Sequence, residues 1–175
     1  NVTGLIQNLG VTGSVSSTDN VGSIAMKLSG TIQMCWSTAS VNLSGWMGCA
    51  GGLVGGMTSG KIVNSYFAGS GVEMNGGLVG EAQAGSLLNC LYTVGFSPAE
   101  MNYPGFNKGN TAKAADLSSA ESLAVLNTDV PSTGFSWVSN GGLPLLVSGS
   151  APIVVNKDAL VAAITAAEAL NESDY

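Results

Sequence analysis

The chain has 175 residues with no His, 11 acidic and 5 basic residues, and a net charge of −6. The basic residues are five dispersed lysines, which excludes the clustered cations that nucleic-acid phosphates and anionic membrane surfaces require, and the missing His excludes Ser-His and Cys-His nucleophile pairs. Apolar residues make up 45%, too many for a disordered chain, while no apolar run reaches the roughly 18 residues of a membrane span, so we expect no membrane insertion.

Two short motifs recur in the same order along the first half of the chain. The first motif places four aliphatic residues at equivalent positions: Ile6, Ile32, Ile62 and Leu87. The second motif occurs three times: Gly22-Ser23-Ile24-Ala25, Gly52-Leu53-Val54-Gly55 and Gly77-Leu78-Val79-Gly80. We align Gly22, Gly52 and Gly77, so both motifs advance in parallel with the same irregular spacing, which is typical of a repeat protein.

Each repeat contains short apolar strands bounded by Gly and Ser turns, such as a strand over 61–68. The period is too short for a four-stranded propeller blade and the composition is too rich in β-formers for helical repeats. The sequence therefore predicts an all-β fold, a parallel β-helix or solenoid, over residues 1–96. Asn8, Asn64 and Asn89 form a ladder interrupted by Met34, and either strict alternation puts Asn64 on the face of Ile62 and Tyr66 or a bulge intervenes.

Two cysteines occupy equivalent positions in the repeats. Cys35 and Cys90 each follow the aligned aliphatic residue by three positions, and Ser65 takes the same place between them. Strands stacked about 4.8 Å apart put the two cysteines about 10 Å apart, beyond the reach of a disulfide. We expect small buried thiols and no metal, because neither His nor an acidic cluster accompanies them.

Residues 97–150 are predicted to close the repeat array. A degenerate last coil is expected at 102–107, where a fourth copy of the second motif should fall. A helix over 117–127 follows, with Ser118 and Glu121 at capping-box spacing. A hairpin formed by 135–138 and 143–147 should place Trp137 on the open end of the solenoid, because an uncovered end exposes unpaired strands and core.

Residues 151–175 change composition after a Ser, Gly and Pro linker. The segment 156–170 is rich in Ala and predicts a terminal helix that Asn156 can cap. We interpret it as the first helix of a small helical module, and the chain as a segment of a longer, exported protein.

The second motif, followed each time by a strand that begins Gly-x-Ile/Leu-x-Asn, resembles the GLUG repeats of bacterial surface and secreted proteins over residues 20–96. The resemblance implies a right-handed β-helix and an extracellular location, at the bacterial cell surface or secreted. Residues 157–175 resemble the first helix of a FIVAR module, which accompanies surface proteins and carbohydrate-active enzymes.

Candidate ligand-binding residues are aromatic. Trp36 and Tyr66 occupy one equivalent position, and Phe67 and Tyr92 the neighbouring one. Alternation predicts that one of these two stripes is exposed, where aromatic rings could stack on glycans or contact surface proteins. The alternative is an internal aromatic ladder.

A carboxylate pair is the remaining candidate for catalysis. Glu73 and Glu81 flank one copy of the second motif, and two solvated turn carboxylates are the simpler interpretation. We therefore predict a non-enzymatic structural or adhesive segment without a cofactor. A carbohydrate-binding accessory domain of a larger secreted enzyme is the alternative, and a polysaccharide lyase or hydrolase is a third.

Overall fold

The structure is a computed structural model that describes residues 1–72, 75–95, 97–130, 132 and 134–149. The predicted terminal helix and helical module at 151–175 lie outside the described residues. Within the described part the chain is mostly strand with one short helix, and its parallel sheets stack as a β-solenoid of about three turns. The prediction of an all-β parallel solenoid is confirmed.

The strands form a stack of coils, with an incomplete coil at each end, and a final hairpin. The first coil holds β1 (Leu5–Gln7), β2 (Gly10–Val11) and β3 (Ser14–Ser17), and the second holds β4 (Val21–Gly22), β5 (Ala25–Leu28), β6 (Thr31–Gln33), β7 (Trp36–Ser37) and β8 (Ser40–Leu43). The third holds β9 (Ala50–Gly51), β10 (Val54–Met57), β11 (Lys61–Val63) and β12 (Tyr66–Phe67). The fourth holds β13 (Gly76–Leu88) and β14 (Leu91–Tyr92), and the fifth β15 (Ser97–Asn107) and β16 (Ala112–Lys113). The helix α1 (Ala120–Leu126) and the hairpin strands β17 (Phe135–Val138) and β18 (Leu145–Ser148) follow.

The first motif stacks in the predicted register. Ile6 pairs with Ile32, Ile32 with Ile62, and Ile62 with Leu87, all in parallel. These ladders supply the backbone hydrogen bonds of each coil from its neighbours, while the aliphatic side chains fill the lumen together with the other members of the main core. That core also includes Leu28, Val41, Leu53, Val54, Met57, Phe67, Leu78, Val79 and Tyr92.

The second motif stacks one residue away from the predicted alignment in its first copy. Val54 pairs with Val79 as expected, but its partner in the second coil is Ala25 and not Ile24. Correspondingly, Gly22 pairs with Gly51 and not with Gly52. The cause is the following turn, which has one residue more in the third coil (58–60) than in the second (29–30).

A left-handed residue ends the first-motif strand in four coils. Asn8, Met34, Asn64 and Asn89 have φ of 58°, 52°, 47° and 53°. Asn tolerates this conformation better than most residues, which explains the Asn ladder. Because the left-handed residue interrupts the pleat, alternation restarts after it, so Ile62 packs in the lumen while Tyr66 faces outward. Of the two alternatives, strict alternation does not hold, and an interruption of the pleat at Asn64 separates Ile62 from Tyr66.

The helix and hairpin cover the side of the solenoid and not its end. They form a second core with outward residues of three successive coils: Met34, Tyr66 and Leu91 pack with Leu117, Leu126 and Trp137. The predicted end cap is therefore wrong in position, although the antiparallel hairpin itself is confirmed. We call α1, β17 and β18 with their connections the lateral cap.

The helix begins one residue later than a Ser118 cap would place it. Ser119 is the N-cap, and its hydroxyl accepts a hydrogen bond from the Ser122 amide at 3.1 Å. Ser118 bonds instead to the carboxylate of Asp116 through its amide and its hydroxyl. The predicted Ser118–Glu121 capping box does not form, because Ser119 provides the same cap one residue closer to α1.

The last repeat is shorter than the others. Val79 pairs with Ala99 and Gly85 with Phe106, so the degenerate second motif lies near Ala99 and not at 102–107. The shortening lies between β14 and β15, where the chain passes from Tyr92 to Ser97 and leaves no room for the corner strand that β3 and β8 form in the first and second coils. Leu91 then pairs with Ala112 in the next ladder, and within the described residues β15 lies at an edge of the sheet.

Candidate binding surfaces

The outward aromatic row runs along the solenoid axis. Trp36, Tyr66 and Leu91 pair in register on β7, β12 and β14. The rings of Trp36 and Tyr66 stack with centroids 6.3 Å apart at 14°. A β-carbon added at Gly10, the partner of Trp36 in the first coil, would overlap the indole ring. The faces of the Trp36 ring are thus directed at neighbouring coils, and only part of this side chain is exposed.

The lateral cap covers the rest of this row. Tyr66 is 1% exposed, its ring meets Trp137 edge-on at 5.2 Å, and its hydroxyl donates to the oxygen of Pro144 at 2.9 Å. Burial raises the pKa of the Tyr66 phenol well above its usual value of 10. The outward row therefore forms the interface with the lateral cap, and Tyr66 has no surface left for a glycan.

The second aromatic pair lies inside the solenoid. Phe67 and Tyr92 pair in register, belong to the lumen core, and are 0% and 4% exposed. A β-carbon at Gly52 would overlap Phe67, and one at Gly77 would overlap Tyr92. The prediction that one of the two stripes is exposed is wrong, because one row fills the lumen and the other is covered by chain that follows the repeats.

Asparagine amides attach the lateral cap to the corners of the coils. The Asn64 side chain donates to the oxygens of Leu126 at 2.9 Å and Thr128 at 2.7 Å, and Asn89 donates to the same Thr128 oxygen at 2.7 Å. Asn110 in the fifth coil extends the ladder by accepting from the main-chain amide of Asn89 at 2.6 Å and donating to its side-chain oxygen at 2.7 Å. Sequence analysis missed Asn110, because the shortened last coil moves it out of the spacing of the earlier repeats.

The stacked thiols are buried and free, as predicted. Cys35 and Cys90 are each 0% exposed, and the Ser65 hydroxyl between them accepts from the Cys35 amide at 3.0 Å. Burial raises the pKa of the Cys90 thiol to about 12 and also raises the pKa of Cys35. Both groups are therefore protonated and shielded at neutral pH, which suits packing and not nucleophilic attack.

The carboxylate pair cannot be assembled from the described residues, because Glu73 lies outside them. Glu81 accepts a hydrogen bond from Gln83 at 3.1 Å and stands in one outward row with Gly56 and Lys27. The space above Gly56 is a small cavity of about 50 Å³. Among the residues described here, no group of three or more acidic or Cys side chains could hold a metal ion.

A loop between β8 and β9 carries the most exposed apolar side chains. The chain from Ser40 to Gly51 is longer than the equivalent span from Ser14 to Gly22 in the coil before, so this corner contains an insertion. Trp46 and Met47 at the tip of this insertion are 101% and 97% exposed. Sequence analysis found the spacing of the repeats irregular but gave this tryptophan no role.

The base of this loop is fixed to the first coil. Ser44 donates to the oxygen of Ser17 through its amide at 2.9 Å, and the Cys49 amide donates to the side-chain oxygen of Asn20 at 2.8 Å. Gly48 approaches so closely that an added β-carbon would lie 2.6 Å from the carbonyl carbon of Asp19. The tip is thus presented by an ordered base, and we call Trp46 and Met47 the apolar tip.

These features define a parallel β-solenoid protein with a lateral α+β cap. Comparison with protein-family models, with curated proteins and with solved structures finds no match to this chain. In the part of the chain that the structure describes, none of the helical segments has the length and apolar character needed to span a bilayer.

Proposed function

We propose that this chain is a non-enzymatic structural and adhesive segment of an exported bacterial cell-surface protein of the GLUG-repeat type. The observation that carries the proposal is the uninterrupted register of the first-motif strands, from Ile6 to Leu87. Such a stack resists bending and local unfolding, because each coil hydrogen-bonds to the next along its length. A structural segment that works through stiffness depends on this stacked architecture. It does not require a reactive group.

The lateral cap adds support that a plain solenoid lacks. In a solenoid each repeat contacts only its neighbours. Here the lateral cap touches Met34 in the second coil, Tyr66 in the third and Leu91 in the fourth. By joining three coils along one side, it opposes relative motion of the stack and supports a role as a spacer that holds neighbouring modules apart.

The surface supports an extracellular location. Charged residues are only 9% of the chain, and exposed corner strands such as β3 and β8 alternate Ser or Asn with half-buried or buried Val. A sparsely charged, hydroxyl-rich surface suits a segment that contacts neutral glycans or other surface proteins.

The location can be tested with an antibody raised against the folded segment. We expect it to label intact cells of the source bacterium as strongly as permeabilised cells. Labelling of permeabilised cells alone would contradict the proposed location. Turnover of any polysaccharide by the purified chain would contradict the non-enzymatic role.

A carbohydrate-binding accessory domain is the second candidate, supported by the complete exposure of Trp46. Both faces of its indole ring are open to solvent, as stacking on a sugar ring requires. On a glycan array we expect W46A to lose any signal, while L145A, which shortens another exposed apolar side chain, keeps it. An unaltered signal with W46A would reject this candidate.

A further inference from the structure

The apolar tip projects from a side of the solenoid where the described residues offer it no cover. Because Trp46 and Met47 are essentially fully exposed while the loop base is hydrogen-bonded to the first coil, the tip is presented in an ordered position. Trp and Met are enriched in the centres of protein interfaces, and a loop base that is already fixed leaves less backbone ordering to be lost on binding. These properties fit a tip that enters a pocket of a protein.

The fifth coil offers a pocket with both polar and apolar lining. A cavity of about 400 Å³ opens at the last coil, where Pro98, Ala99 and Phe106 lie among the polar residues Ser97, Asn102, Asn107 and Lys108. Its volume lies in the range of sites that enclose small ligands. Ala99 belongs to the lumen core and Phe106 packs against it, so, as far as the described residues extend, this cavity is the uncovered end of the solenoid at its last coil, and we call it the mouth.

The edge of β15 is better suited to binding a side chain of a partner than to pairing with an added strand. Pro98 and Pro104 lack amide hydrogens, and proline on an edge strand opposes further pairing. The same strand exposes two large apolar side chains, Met101 at 42% and Tyr103 at 49%. The mouth therefore has a partly apolar lining and apolar neighbours, yet a poor edge for β-augmentation.

We infer that the apolar tip of one copy of this chain inserts into the mouth of a second copy. The tip supplies two apolar side chains without charge, and the mouth supplies a cavity of sufficient volume with Ala99 and Phe106 in its lining. Lys108 at the mouth and Asp19 beside the loop base add one pair of opposite charges. Because tip and mouth are different surfaces, the contact is heterologous and builds open chains of molecules unless its rotation closes a ring.

The sequence around the tip disfavours a lipid surface as the occupant. None of the five lysines lies between residues 38 and 52, and the whole chain carries a net charge of −6. Two apolar side chains without neighbouring cations give only marginal membrane affinity. A second copy carries the same net charge, so we expect added salt to strengthen self-association by screening this repulsion.

Sedimentation velocity of the full chain over rising concentration tests the inference. We expect reversible association. W46S should raise the dissociation constant at least tenfold, and N102W should also raise it because the larger side chain fills the mouth. L145S is the matched control, because it removes an exposed apolar side chain of the hairpin and should leave association unchanged. Residues 46, 102 and 145 are all exposed, so these variants are expected to fold.

Mixing the variants gives the sharper result. W46S keeps the mouth and N102W keeps the tip, so each alone should be monomeric while an equimolar mixture forms 1:1 dimers. The double variant W46S/N102W should stay monomeric in every mixture. The emission of Trp46 should shift to the blue when the unaltered chain associates, because the other two tryptophans of that chain are already partly or fully buried. N102W adds a tryptophan, so its mixtures are followed by sedimentation alone.

Three outcomes would overturn the inference. The unaltered chain could remain monomeric up to about 1 mM. W46S could associate like the unaltered chain. Finally, the emission shift could appear with phosphatidylcholine vesicles or neutral polysaccharide while the protein stays monomeric, which would assign the tip to a lipid or a glycan. The antibody experiment on intact cells is independent of all three, so failure here leaves the proposed location standing.

Discussion

The indole nitrogen of Trp137 donates a hydrogen bond to the main-chain oxygen of Asn64 at 2.9 Å. This bond joins residues 73 positions apart and brings the final hairpin to a corner of the third coil. The Asn64 side chain meanwhile bonds to the lateral cap through two further contacts. One left-handed residue thus serves as a turn of the solenoid and as the attachment point of the lateral cap.

Replacing Asn64 by Gly should release the lateral cap while keeping the turn. N64G retains easy access to the positive φ but loses both side-chain hydrogen bonds, each worth about 1 kcal/mol. N8G is the matched control, since Asn8 has φ of 58° in the first coil and, within the described residues, its side chain makes no bond to the lateral cap. In urea titrations we expect N64G to lose about 2 kcal/mol more free energy of unfolding than N8G, one increment for each lost bond. Equal losses would disprove the attachment role.

The hydroxyl of Tyr66 makes a second buried polar contact between the solenoid and the hairpin. Y66F deletes its hydrogen bond to Pro144 and leaves that buried oxygen unpaired, which should cost about 1–2 kcal/mol of unfolding free energy. Y103F, at a half-exposed position on β15, should change stability by less than about 0.5 kcal/mol. Chemical denaturation followed by near-UV circular dichroism measures both, and indistinguishable midpoints would count against the contact.

Gly77 is required by the ring of Tyr92, which lies directly against it in the lumen. A methyl group at this position overlaps a ring that is only 4% exposed and has no space to move into. We expect G77A to lose about 3 kcal/mol of unfolding free energy by overpacking. G142A, with its nearest neighbour 3.6 Å away in the hairpin turn, should stay within about 0.5 kcal/mol of the unaltered protein in the same thermal or urea measurement.

Alkaline pH should destabilise the fold through its buried thiols. Desolvation raises the pKa of Cys90 from 9.0 to about 12, so the unfolded chain releases this proton first. The contribution of Cys90 is fully present below pH 9 and is lost as pH rises toward 12, at up to about 1.4 kcal/mol per pH unit.

The variant C90S isolates this effect, because Ser65 shows that the neighbouring coil accepts a hydroxyl at the equivalent position. Between pH 9 and 10, before most tyrosines ionise, C90S should lose unfolding free energy less steeply than the unaltered protein. A remaining slope is expected from Cys35, whose pKa is also raised by burial. Identical slopes for the two proteins would refute the assignment.

The stacking of the coils could be predicted because it depends on local repetition. Ile32 and Ile62 each follow a Gly by two positions and recur with the spacing of the second motif, so their pairing followed from spacing alone. The one-residue error at Ile24 arose because an extra turn residue shifts the alignment without altering the motif. Such a shift becomes visible only when the backbone pairing of Ala25 with Val54 is known.

The candidate site could not be predicted, because its exposure depends on distant chain. Trp36 and Tyr66 were correctly placed at equivalent positions, but an outward apolar row predicts a covered surface without saying what covers it. Trp137, far along the sequence, covers Tyr66. The position of the apolar tip could not be predicted either, because a loop insertion has no periodicity. Trp46 resembles any other loop residue in a single sequence.

The attachment of the lateral cap to three coils has a mechanical consequence. Tension along the stacking direction loads the bonds of Asn64 and Asn89 together, so they share the force and resist in shear. A pull on the chain beyond β18 instead detaches the hairpin first and breaks the contacts of Tyr66 and Asn64 in succession. The segment should therefore resist force applied along the solenoid axis. Force applied to the chain after β18 should detach the hairpin at a lower load and leave the coils folded.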